Sequence, residues 1–265
     1  MATPDPTIGI FLQIVPPLAI IRIQNPKHHN AMTLDMWQSL PAVVAEADAD
    51  PRVNVIIMRG AGDTAFVSGA DISEFSTSRA GGAAARAYDK ANSIAFASIR
   101  TCKKPTIAMI YGFCMGGGFG IAVACDLRYA ADDAKFSIPA AKLGIGYPVD
   151  AMVDIVTTLG PAVAKELFYT ARVIKAEEAF KLGILNAVST KVDLETDVLK
   201  IANTVAVMAP LTIRAAKKAI AAVLLPNDRI IDDAYAAADA CFDSNDYQEG
   251  VAAFLEKRNA KFRGR

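Results

Sequence analysis

Apolar residues recur with strand spacing near the start of the chain and with helix spacing toward its end. Residues 9–15 and 18–23 are short apolar runs joined by Pro16-Pro17, which predicts a β-hairpin. Residues 25–30 are polar and form a loop. Thr33 is placed to cap a helix reaching about residue 49, which Pro41 is expected to bend or divide. The apolar run at 53–58 predicts a buried strand, ended by Gly60-Ala-Gly62. An irregular loop is expected at 63–75, then an Ala-rich helix at 82–99. A strand at 106–110 runs into a glycine-rich stretch, and an apolar helical run leaves it at 119–125. Short strands at 126–130 and 134–139 precede a loop at 143–148, and Asp150 is placed to cap a helix ending near Gly160. Helical patterns then dominate, at 194–208, 211–225, 230–241 and 244–261. The pattern predicts an α/β core over residues 1–190 and an α-helical part over 191–265.

The stretch Tyr111-Gly-Phe-Cys-Met-Gly-Gly-Gly-Phe-Gly120 carries no acid or base. Its consecutive glycines sit at a strand-to-helix junction, where missing Cβ atoms let a ligand oxygen approach peptide N–H groups. The following helix dipole favours negative charge there, as in an oxyanion hole. Tight helix–strand packing explains the same glycines equally well.

Composition narrows the classes. The 265 residues are 53% hydrophobic, enough for a substantial core. Lys and Arg number 28, matched by 28 Asp and Glu, so nothing favours nucleic acid as a partner. Cys102, Cys114, Cys125 and Cys241 lack CxxC spacing and read as reduced thiols of a cytoplasmic protein, with no metal site. Cys114, inside the glycine-rich loop, reads as a small apolar filler. Residues 105–125 are uncharged and long enough to suggest a membrane span, but their glycines suit a buried strand-loop-helix better. The start of the chain has no basic or long apolar leader pattern.

The two histidines, His28 and His29, lie side by side in a polar loop, where a solvated pair is the default. No Gly-x-Ser-x-Gly, His-Glu-x-x-His or Walker A pattern occurs. Gly60-Ala-Gly62-Asp-Thr-Ala65 matches a dinucleotide fingerprint formally, but no helix pattern starts there. A second small-residue loop, Ala65-Phe-Val-Ser-Gly-Ala-Asp-Ile72, also follows a strand. Two such loops converging on one oxygen would suit a thioester carbonyl.

With these motifs together, the chain resembles the crotonase (enoyl-CoA hydratase/isomerase) superfamily over nearly its whole length. Asn25-Pro-Lys-His-His-Asn-Ala31 resembles its CoA-adenosine loop. The stretch from Gly60 to Ile72 resembles its first oxyanion loop, and Gly112-Phe-Cys-Met-Gly-Gly-Gly118 with Cys125-Asp126 its second. Phe242 to Arg258 resembles its closing helix. The resemblance implies a spiral of ββα units with a C-terminal α-helical oligomerisation region, and acyl-CoA thioester substrates. It also implies a homotrimer or dimer of trimers. Coenzyme A enters only as part of the substrate, with no separately bound cofactor.

On that resemblance the oxyanion donors are the N–H groups of Ala70 and Gly117. Asp71 holds the first loop, beside Ser68 and Ile72, and Gly116 flanks the second donor. Lys27 and His29 fall at the adenosine end, and Lys257 is placed to meet a CoA phosphate, on a neighbouring subunit. The two glutamates of the family's hydratases map onto Gly120 and onto Ala140, directly after Pro139. Neither residue transfers protons, so glutamate-pair hydration is not available. Isomerase-, decarboxylase- or modified hydratase-like enolate chemistry remains, as does an inactive CoA-binding or assembly module. An RNA-binding branch of the family is disfavoured by the neutral charge. Asp150, Tyr147 and Ser68 are the polar candidates near the acyl end, and the default role of Asp150 is N-cap of a helix beginning at Ala151.

Overall fold

The computed structural model describes residues 7–265. The expected hairpin forms from β1 (Gly9–Val15) and β2 (Leu18–Gln24), paired antiparallel. Helix α1 (Leu34–Ala49) is capped by Thr33, whose hydroxyl accepts from the Met36 N–H at 3.2 Å. Pro41 does not divide α1, which is continuous across it. Burial of Trp37, Leu40 and Val44 on either side of it offsets the missing hydrogen bond.

Strands then come in pairs, each pair followed by a helix. The first pair is β3 (Val55–Gly60) and β4 (Ala65–Val67), then α2 (Phe75–Ser78) and α3 (Gly82–Arg100). The second is β5 (Thr106–Ile110) and β6 (Phe113–Met115), leading into α4 (Gly117–Ala124). The third is β7 (Leu127–Ala131) and β8 (Lys135–Ser137), then α5 (Ala140–Leu143) and α6 (Val149–Thr170). The first strand of each pair joins a six-stranded sheet and the second joins a four-stranded sheet, which gives the ββα spiral. β9 (Ile174–Lys175) closes the small sheet. After α7 (Ala176–Lys181), β10 (Ala187–Ser189) ends the large one. The loop expected at 63–75 thus contains a strand, β4, parallel to β6.

Alternation along β3 explains the layers. Ile56 and Met58 face the main core with α1, α3 and α4, while Val55 and Ile57 face the other side. That second face is covered by Leu194, Val198, Ala202 and Ala206 of α8 (Leu194–Ala206). The chain ends in α9 (Pro210–Leu224), α10 (Asp228–Phe242) and α11 (Asn245–Leu255). The last helix is shorter than its pattern predicts. Lys257 takes a left-handed φ of 52°, and the Arg258 N–H turns back to the Ala253 carbonyl at 3.0 Å. Residues 105–125 form buried strand, loop and helix. Among the described residues no single helix is long and apolar enough to cross a membrane.

Candidate active site

The first small-residue loop is held by a knot of buried polar side chains. Asn30 takes its backbone near Ala65, donating through Nδ2 to the Ala61 and Ala65 carbonyls at 3.0 and 2.8 Å. Its Oδ1 accepts from the Asn25 N–H at 3.1 Å. Asp71 accepts from Ser73 Oγ at 2.6 Å, the Ser73 N–H at 3.1 Å and Asn25 Nδ2 at 3.3 Å, and pairs with His28 Nδ1 at 2.6 Å. Burial pushes its carboxyl up, but the hydrogen bonds from Ser73 and His28 outweigh that and hold it below its ordinary value. Asp71 is therefore a brace. His28 is not the solvated half of a histidine pair, because it is tied to Asp71. His29 is exposed, with its ring edge-on to Phe113 at 5.8 Å.

The knot leaves one donor free. Met32 donates to the Gly69 carbonyl and accepts from the Asp71 N–H, each at 2.8 Å. Between them, the Ala70 N–H meets no backbone acceptor among the described residues. The second loop supplies another free donor. Gly116 precedes α4 with φ 51°, a conformation that favours glycine, and its N–H donates to the Ser137 carbonyl at 2.8 Å. Gly117 opens the helix, so its N–H is one of the groups a helix leaves unbonded. The two loops touch: a Cβ on Gly116 would lie 4.0 Å from Gly69 Cα.

Close packing accounts for two of the glycines: a Cβ on Gly118 would collide with the Val67 carbonyl oxygen, and one on Gly117 would lie 2.8 Å from Trp37 Cζ2. Gly116 and Gly117 face a cavity of about 90 Å³. Ser68, Ala70, Ile72, Pro139, Ala140 and Tyr147 also line it. The Ser68 hydroxyl donates to the His28 carbonyl at 2.9 Å, which ties the loops together. Cys114 is fully buried, and burial drives its thiol pKa well up, so it acts as filler.

The structure does not bring Asp150 to this cavity. It is exposed and lines an outer groove with Arg86, Lys90 and Arg100, which shares Asp89 and Pro148 with the cavity lining. Nor does it cap α6. The helix starts at Val149 with Pro148 in the cap position, which puts Asp150 in the first turn, where a carboxylate suits the helix dipole. Lys27, His29 and Lys257 are exposed and outside the cavity lining. Lys257 lies past the end of α11 rather than on a helix.

At Gly120 the expected carboxylate position is occupied by another side chain. A Cβ there would lie 2.5 Å from Phe96 Cζ, and the Phe96 ring is fixed edge-on to Trp37 at 5.5 Å. At Ala140 the methyl opens on the cavity instead.

Polar groups reach the cavity from a quarter that the sequence did not flag. Asp89, Asn92 and Phe96 line it from one face of α3, and Arg79 enters from the turn after α2. Arg79 donates to Asp89 Oδ1 at 2.7 Å and lies 4.4 Å from the Tyr88 ring centre. Asp89 is the sole carboxylate in the lining. The available signal was its spacing from Asn92 and Phe96, which suits one helical face. Burial pushes the Tyr147 hydroxyl up to about 12, with smaller opposing effects of Arg79 and Asp89. It is a donor at neutral pH, not a base.

Two touching loops with free N–H groups are thus seated on a ββα spiral. A family model described as enoyl-CoA hydratase/isomerase matches residues 15–265, and the chain belongs to that family, within the crotonase superfamily. It is 37% identical to crotonyl-CoA hydratase of Syntrophomonas wolfei, covering 96% of this chain and 97% of that one. It is 34% identical to a peroxisomal Δ(3,5)-Δ(2,4)-dienoyl-CoA isomerase of Arabidopsis thaliana, covering 91% and 90%. Among solved structures, an enoyl-CoA hydratase/isomerase family protein from Hyphomonas neptunium superposes with a TM-score of 0.93. That pair is 37% identical, with 98% of this chain and 99% of the other covered.

Proposed function

We propose that the protein stabilises the enolate of an acyl-CoA thioester between the N–H groups of Ala70 and Gly117. The observation that carries this is the pair of unbonded donors on touching loops, one of them at a helix N-terminus. Lys27 and His29 then hold the adenosine end, and Lys257 of a neighbouring subunit reaches a phosphate. Hydratase chemistry through two glutamates is unavailable at Gly120 and Ala140. Isomerisation, decarboxylation or a modified hydration is the reaction type that fits.

Asp89, which lines the cavity where Asp150 does not, takes the proton-handling part. Its Oδ1 is held by Arg79, which leaves Oδ2 for a substrate or water proton. Exchange of the α-protons of acyl-CoA thioesters into D2O, followed by NMR, tests both halves. The wild type should accelerate exchange, and Asp89→Asn should lose about 10²-fold or more of that rate while acyl-CoA binding persists. If no thioester exchanged or turned over while CoA still bound, a catalytically silent CoA-binding module would replace this reading. Assembly as a homotrimer or dimer of trimers is part of the proposal, supported by apolar side chains exposed on the last helices, such as Val223 and Phe254.

A further inference from the structure

Among the described residues, the buried side-chain polar atoms without a hydrogen-bond partner are Arg79 Nε, Asn92 Oδ1 and Arg214 Nε. Two of these three belong to residues that line the one cavity. Protein interiors leave few such atoms unpaired, because each loses its hydration without return. The guanidinium is also fixed in place. It stacks 4.4 Å from the Tyr88 ring centre and 5.0 Å from that of Phe75, and bonds Asp89 at 2.7 Å. Tyr147 adds a hydroxyl, 3.8 Å from where a Cβ on Gly116 would sit. The polar wall is therefore close to the oxyanion loops. A plain hydrocarbon chain would cover these groups and replace none of their missing bonds.

We propose that Arg79 and Asn92 form a subsite for a neutral oxygen function, a hydroxyl or carbonyl, on a short acyl chain carried by CoA. The proposal deepens the acyl-CoA reading above and rests on it. Charge favours the neutral group. Arg79 is already balanced by Asp89, so a substrate carboxylate would meet like charge at Asp89 Oδ2. A hydroxyl accepts from the guanidinium and donates to Asp89 Oδ2, or to Asn92 Oδ1 once that amide turns about χ2. Size favours a short chain, since a cavity of about 90 Å³ holds only a handful of water-sized groups.

Titration calorimetry with CoA, butyryl-CoA, 4-hydroxybutyryl-CoA and succinyl-CoA tests this. The hydroxylated thioester should bind about tenfold or more tightly than butyryl-CoA. Asn92→Leu should abolish that preference while butyryl-CoA binds as well as before or better, and Arg79→Met should independently abolish the preference. Equal affinities in the wild type would overturn the subsite and leave the acyl-CoA reading intact. Tightest binding of succinyl-CoA would overturn it in favour of carboxylate recognition by Arg79. Failure of every compound, CoA included, would overturn the acyl-CoA reading and the subsite with it.

Discussion

At position 120 a side chain has nowhere to go, because Phe96 already fills the space over that turn of α4. Gly120→Glu should destabilise the protein by about 1–3 kcal/mol through overpacking, read from a thermal melt, and should yield no crotonyl-CoA hydration. Phe96→Ala alone should cost about 3–5 kcal/mol for the cavity it leaves. The double variant should be markedly more stable than the sum of the two predicts, because the two sites share one volume. Asp71 contributes to the pH dependence. Its folded value lies below the ordinary one, so its contribution is complete above about pH 4 and lost as pH falls through the lower folded value. Wild-type melting temperature should therefore fall more steeply below about pH 4 than that of Asp71→Asn, which has no carboxylate to protonate.

Among the elements, the end of α11 offers a clean substitution. Lys257 occupies a left-handed position where glycine is strain-free. Lys257→Gly should raise stability by about 1 kcal/mol in urea unfolding. If the side chain meets a CoA phosphate, the same variant binds acyl-CoA more weakly, so stability and affinity move in opposite directions. The same scale shows where sequence patterns suffice. The hairpin, the helix after Thr33 and the strand–glycine–helix unit around Gly117 follow from periodicity and capping, because each is long enough to carry a pattern. β4 has only three residues and gains its partner, β6, from far along the chain, so no local signal marks it. Asp150 matched a capping pattern, but the fixed φ of Pro148 starts the helix at Val149. In α3 an alanine-rich run hid the two polar residues that matter, since Asp89 and Asn92 acquire meaning only when the loops of Ala70 and Gly117 face them.

For the whole molecule, the uncovered surface is informative. Val223 is 81% exposed and Phe254 84%, on helices outside the two main cores. Apolar residues at that exposure on two of the last three helices suit burial against other copies of the chain. Sedimentation of the wild type should give three or six times the chain mass, and Val223→Asp with Phe254→Asp should shift it to smaller species. A monomeric wild type at micromolar concentration would rule out the assembly proposed above.

The Phe96 ring over Gly120 also limits how this chain can change. A carboxylate cannot be introduced at position 120 in one step without crowding the core. Opening the core first leaves an intermediate with a hole. A stepwise introduction of glutamate at position 120 therefore crosses a less stable protein. New activities are easier to reach from the polar wall on α3, where substitutions alter what the cavity holds without disturbing the helix beneath it.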